Sequence, residues 1–236
     1  MAEGRTFLLM GSGEFEPWSE EVERAAMHGA RGDGSVAIVP TASFPDGQAI
    51  FDRWGAMGLA HYEAMGVPAG IVPLRDRSDA MREELASQVA EASMVFFSGG
   101  KPRYLADAIS GTPFWDGLLV ALDRGAVFVG CSAGAMIASH ASDGKERLGG
   151  AWLLGLGLIP NTSFGVHWDK VRFIPGMRPF LMRRVRRDGW FVGIDERTAI
   201  LGDGSRWTVF GNRTAMVRGR GRTRSFRAGE SFATAE

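Results

Sequence analysis

A chain of 236 residues with 45% hydrophobic and 23% charged content fits one soluble α/β domain spanning 1–236 better than two small ones. Lys+Arg and Asp+Glu each number 27, so no net charge calls for a nucleic-acid or charged-membrane partner. The lone Cys131 excludes an internal disulfide and a cysteine-based zinc site, and no apolar run reaches membrane-span length. The N-terminus lacks a basic start followed by a long apolar stretch, so cytoplasmic is the default expectation. Arginine far outnumbers lysine, which occurs only at Lys101, Lys145 and Lys170.

In chain order, Thr6–Met10 reads as a first strand that ends in the tight loop Gly11-Ser12-Gly13-Glu14. Residues 20–27 read as a helix, 35–40 as a second buried strand, and 48–65 as a helix stopped by Gly66. A third strand is predicted over 70–74, a helix over 79–92 and a fourth strand over 93–97. A further helix at about 113–124 leads to the strand Val127–Val129. Apolar strands that alternate with helices predict a mostly parallel sheet covered by helices on both faces. Beyond about Gly144 the pattern changes. Residues 151–168 carry Gly155, Gly157 and Gly165 with a Pro160-Asn161 turn, and 179–187 look helical. From Val192 onward, short strands with turns at 202–204 and 219–221 predict antiparallel hairpins at the sheet edge.

The strand at Val127 runs into Gly130-Cys131-Ser132-Ala133-Gly134, a G-x-S-x-G nucleophile elbow. A serine on so sharp a turn needs small neighbours, and the helix that follows aims free N–H groups at the same point. Ser132 is therefore the candidate nucleophile, and it needs a base. Of the four histidines, His28 and His61 lie in or near helices of the first half, with nothing special around them. His140 sits eight residues after Ser132 on what should be the same helix, roughly 12 Å along at 1.5 Å per residue. His167, after a predicted strand, is the candidate base. Asp195-Glu196 closes the apolar run 190–194, with Glu196 the first choice to orient the imidazole and Asp195 the reserve. Asp169 stands too near His167 in sequence to do so easily. For an oxyanion hole, Ala133 supplies one N–H, and the Gly99-Gly100 pair supplies the second, with Gly100 the candidate.

Three stretches in this order, Phe97–Leu105 (FSGGKPRYL), Gly130–Ala135 (GCSAGA) and Gly193–Ala199 (GIDERTA), resemble the cyanophycinase and aspartyl dipeptidase (peptidase E) family of serine peptidases. The resemblance covers about Phe7 to Phe210. It implies a fold like the class I glutamine amidotransferase domain, with serine where those enzymes use cysteine. It also implies Ser132, His167 and Glu196 as nucleophile, base and acid. Two departures stand out: Lys101-Pro102 follows the double glycine, and Phe164-Gly165-Val166 lacks the Asp-Gln pair of cyanophycinases, so cyanophycin is not inherited as the substrate.

Family members cleave next to aspartate, so Arg172 or Arg178, from the cluster that continues through Arg183, Arg184, Arg186 and Arg187, is a candidate to grip a substrate carboxylate. Gly99 and Lys101 are further candidate substrate contacts. Trp18, Trp54 and Trp168 are either pocket walls or core. The expectation is a serine hydrolase acting on a small peptide or amide, without metal or cofactor. The alternatives are a non-catalytic binding protein of the same fold and a serine esterase or acyltransferase. Oligomeric state is left open, a homodimer being one option.

Overall fold

A computed structural model describes residues 4–140, 155–182 and 188–235. Its main sheet has eight strands. Five are parallel: β1 (Thr6–Met10), β2 (Val36–Val39), β3 (Ala69–Ile71), β4 (Met94–Phe97) and β5 (Val127–Cys131). Every residue of β2, β4 and β5 is buried, as expected of strands covered on both faces. The antiparallel strands β8 (Thr198–Gly202), β9 (Arg206–Gly211) and β12 (Ser231–Ala233) extend this sheet beyond β1. The order is β12-β9-β8-β1-β5-β4-β2-β3.

The predicted edge hairpins are thus present, but they divide between two sheets. Strands β6 (Thr162–Gly165) and β7 (Trp190–Ile194) pair in parallel, and β10 (Thr214–Gly219) and β11 (Arg222–Arg227) add antiparallel strands to β7. The β8–β9 turn is set by Asp203, whose Oδ1 accepts the N–H groups of Ser205 and Arg206 at 2.8 and 2.7 Å. In the β10–β11 turn, Arg220 and Gly221 both take positive φ, which suits the strand twist. One buried apolar cluster joins the sheets: Trp207 of β9 meets Phe7 of β1 and Phe164 of β6, with ring centroids 6.5 and 5.8 Å apart.

The helices follow the sequence with two differences. The helix predicted over 79–92 divides into α3 (Arg77–Ala80) and α4 (Glu83–Glu91), because Arg82 is extended while the Asp79 carboxylate turns back to Arg75. A helix the sequence reading missed, α5 (Pro102–Ile109), directly follows the Gly99-Gly100 loop, with Pro102 at its first position. The others lie close to expectation: α1 (Glu20–Met27), α2 (Gln48–Ala64) and α6 (Pro113–Arg124). Thr112 caps α6 by accepting the Trp115 N–H, and Gly125 closes it in the left-handed region. The elbow helix α7 (Ala133–Ile137) is short, so His140 lies beyond it rather than on it. The late helices are α8 (Trp168–Val171) and α9 (Met177–Met182). Lys145, Arg183, Arg184, Arg186 and Arg187 lie outside the described residues.

Candidate active site

The carboxyl ends of β1, β4, β5, β6 and β7 each contribute a loop, and the site lies where these loops meet, as open α/β sheets favour. Ser132 leaves β5 with φ 50° and ψ −108°. The bracketing glycines are required by close approach. A Cβ on Gly130 would stand 2.4 Å from the carbonyl carbon of Gly134, and one on Gly134 would stand 2.2 Å from the Phe97 carbonyl oxygen. The elbow therefore packs backbone on backbone, and the Ser132 side chain is carried clear of its own turn.

His167 follows β6 at the start of α8 in the left-handed region, with φ 49°. Its Nε2 lies 3.1 Å from Ser132 Oγ, and its Nδ1 lies 3.2 Å from Glu196 Oε1. Glu196 stands just past β7, and its second oxygen faces Lys170 Nζ at 3.5 Å. The three residues named as nucleophile, base and orienting acid are brought together. Asp195 is turned elsewhere: its carboxylate accepts from the Thr214 hydroxyl and N–H at 2.7 and 3.2 Å. Asp169, set aside in the sequence reading, acts one step back. Its buried carboxylate accepts the Glu196 N–H at 2.9 Å and pairs with Arg213 at 2.8 Å, which fixes the backbone that carries Glu196.

Ser132 and His167 open on a cavity of about 450 Å³. Gly99 and Gly100 form part of its wall, and a Cβ on Gly99 would lie 3.4 Å from that of Ser132. The Gly99 N–H is already donated to Glu14 Oε1 at 2.8 Å. The Gly100 N–H makes no hydrogen bond among the described residues. Ala133 heads α7, where first-turn N–H groups have no partner within the helix.

Glu14 escaped the sequence reading. It sits in the β1 loop, nearly buried in the cavity wall, and its Oε2 accepts the Cys131 thiol at 2.9 Å. Burial, and then the Glu14 charge, push that thiol well above its ordinary range, so Cys131 stays protonated beside the nucleophile. A signal for Glu14 was present: an acid in a Gly-Ser-Gly loop at a strand's carboxyl end, where such sheets bind ligands. Glu16 and Asp46 line the same cavity and carried no sequence signal of their own.

The predicted substrate contacts fare differently. Lys101 lies outside the cavity wall and reaches Asp46 at 3.3 Å. Arg172 lies against the Phe173 ring, 4.7 Å from its centroid. Arg178 covers Trp168 at 4.9 Å and donates to its carbonyl at 3.0 Å. Neither arginine reaches the wall. Of the three tryptophans, Trp54 lines the cavity, Trp18 ties down the β1 loop through Gly13, and Trp168 packs against Phe191. Among the described residues, no group of His, Cys, Asp or Glu is placed to hold a metal ion, and no helix is long and apolar enough to cross a membrane.

The sequence model of peptidase family S51 matches residues 7–210. The chain belongs to that family. Two cyanophycinases, from Synechococcus elongatus and Thermosynechococcus vestitus, are each 26% identical over 180 residues, 72% of this chain and 53% of theirs. The chain thus spans about half the length of these curated relatives. A crystal structure of a peptidase from an acI-B1 actinobacterium superposes with a TM-score of 0.87 at 28% identity, covering 97% of this chain and 96% of that one. A putative peptidase E protein from Listeria monocytogenes shares the fold at a TM-score of 0.61 and 16% identity, over 88% of this chain and 98% of that one. The S51 match ends at Phe210, so β10, β11 and β12 lie beyond it.

Proposed function

We propose that this S51 chain hydrolyses a peptide or related amide bond through an acyl-enzyme on Ser132. The observation that carries the reading is the continuous chain Oγ–Nε2 at 3.1 Å and Nδ1–Oε1 at 3.2 Å, set on a strained serine that faces a cavity. In this reading Ser132 Oγ attacks the carbonyl carbon while its proton passes to His167 Nε2. The N–H groups of Gly100 and Ala133 receive the oxyanion. As the carbon–nitrogen bond breaks, His167 returns the proton to the leaving amine. Water then adds to the acyl carbon, giving a proton to His167, which passes it back to Ser132 as the acid departs. Glu196 holds the Nδ1–H tautomer and the imidazolium that forms. Cys131, although next to the serine, takes no part, because its thiol is buried and held by Glu14.

The test is fluorophosphonate labelling of the purified protein, located by peptide mass spectrometry. Labelling at Ser132 that is lost in Ser132→Ala and His167→Ala is the expected result. Labelling of a different serine, or none in folded protein with a probe small enough for the cavity, would remove the assignment.

A further inference from the structure

We infer that Glu14 is a positioning residue, which clamps the Gly99-Gly100 loop to the serine elbow and so sets where the Gly100 N–H stands relative to Ser132. This rests on the serine-hydrolase reading above, in which that N–H and the one of Ala133 receive the oxyanion. Glu14 acts through the backbone that carries these donors and takes no part in the bond changes.

The two donors belong to different parts of the chain, one in the loop after β4 and the other at the head of α7, so their spacing depends on what ties these parts together. Glu14 touches both. Its Oε1 accepts the Gly99 N–H at 2.8 Å and its Oε2 accepts the Cys131 thiol at 2.9 Å, just before Gly100 and Ser132 in the chain. A carboxylate suits the task, having two acceptor oxygens on a rigid fork and no donor of its own. The loop is pinned on its far side as well, where the Lys101 N–H donates to the Ala42 carbonyl at 2.7 Å. Anchors at 99 and 101 therefore bracket Gly100. Gly99 is clasped between the carboxylate and the nucleophile: a Cβ there would stand 3.0 Å from Glu14 Oε1 and 3.4 Å from Ser132 Cβ. The loop that carries Glu14 is itself braced. Trp18 Nε1 donates to the Gly13 carbonyl at 2.8 Å, and Phe15, at φ 62°, sets its ring 4.6 Å from that of Phe96. A non-glycine residue at positive φ persists where its surroundings over-determine it, so Glu14 is aimed inward from a stiff support.

The test compares Glu14→Gln with Glu14→Asp. Glutamine keeps the reach and the Oε1 acceptor but loses the charge, whereas aspartate keeps the charge on an arm too short to meet both donors. Fluorophosphonate labelling of Ser132 is resolved into a limiting rate and a half-saturating concentration, and hydrogen exchange at the Gly99 amide is followed by NMR. Glu14→Asp should lower the limiting rate roughly 30-fold, short of the full loss of an oxyanion donor, with half-saturation held within about twofold. Its Gly99 amide should exchange faster than the parent's. Glu14→Gln should stay within about fivefold of the parent rate and keep the slow exchange. The opposite order, with aspartate active and glutamine impaired, would assign the effect to charge and overturn the inference. Parent-like labelling in both variants, an equal loss in both, a loss confined to half-saturation, or unchanged Gly99 exchange in Glu14→Asp would overturn it too. Should Glu14→Asp not fold, Glu14→Gln decides alone, a rate loss beyond fivefold being the refuting result. Absence of labelling in the parent would instead remove the serine-hydrolase reading, while Gly99 exchange still reports on the clamp.

Discussion

Replacing Glu196 by glutamine tests the relay at its outer end. Glu196 Oε1 lies 3.2 Å from His167 Nδ1, and its main chain is anchored by Asp169, so glutamine keeps the shape and an acceptor but removes the charge. That charge matters when Ser132 gives up its proton and the imidazole becomes positive. Unit charges about 4 Å apart are worth about 4 kcal/mol at an effective dielectric of about 20, and about 1 kcal/mol in bulk water. The Glu196 side chain is 30% exposed and shares its charge with Lys170, so the lower part of that range applies. A loss of about 2 kcal/mol is roughly 30-fold in kcat. KM should hold, because Glu196 is not part of the cavity wall. The rate of fluorophosphonate labelling reads the same proton transfer without requiring the substrate. Asp195→Asn is the matched control: its carboxylate serves Thr214, so Tm should fall while labelling stays within about twofold of the parent. Wild-type labelling by Glu196→Gln, or a larger loss in Asp195→Asn, would refute the assignment of the orienting acid.

Gly130→Ala and Gly134→Ala should each cost about 3 kcal/mol or more in denaturant unfolding, because the new methyl meets main-chain atoms at 2.4 and 2.2 Å. Gly29→Ala, with nothing within 4 Å, should change stability by less than about 1 kcal/mol. Native protein at neutral pH should resist iodoacetamide at Cys131, while unfolded protein reacts, as read by mass spectrometry. Because the folded thiol titrates above its ordinary 9.0, its contribution to stability is complete below that pH and is lost as pH rises past it, so urea midpoints should decline above about pH 9. Lys101→Ala should move stability by no more than about 0.5 kcal/mol in a double-mutant cycle with Asp46→Ala, since both partners are about half exposed.

Residues with a local signature were legible in the sequence. Ser132 stands in a pattern whose glycines are enforced by backbone contact, and Thr6–Met10 and Glu20–Met27 lie where the sequence placed them. His167 and Glu196 were legible through their position after apolar runs, although only the fold brings them within hydrogen-bond distance. What escaped depends on neighbours distant in sequence. Glu14 gains its place from Gly99 and Cys131, 85 and 117 residues away. Arg178 looked like a carboxylate grip because its pattern is basic, but the ring of Trp168 claims its guanidinium. The separation of β10 and β11 from the main sheet was equally hidden, since alternation defines a hairpin without naming the strand it joins.

The site also shows where this fold holds its backbone strain. Six non-glycine residues take positive φ among those described: Phe15, Ser132, Asn161, His167, Arg197 and Arg220. Such residues cost on the order of 1 kcal/mol or more and persist where surrounding contacts over-determine them. Arg220 belongs to a hairpin turn, where positive φ is the ordinary solution. Asn161 sits in the turn before β6, and asparagine tolerates that region. Of the other four, Ser132 and His167 are the proposed nucleophile and base, Arg197 follows Glu196, and Phe15 follows Glu14. The relay also crosses the joint between sheets, with Ser132 at the end of β5 in one and His167 and Glu196 at the ends of β6 and β7 in the other. Neither sheet holds the set alone. The separation between Oγ and Nε2 therefore depends on how the sheets pack through Phe7, Phe164 and Trp207 as well as on the turns that carry each residue. Strain at the relay and shared packing beneath it serve one end: they present a serine, an imidazole and a carboxylate in line.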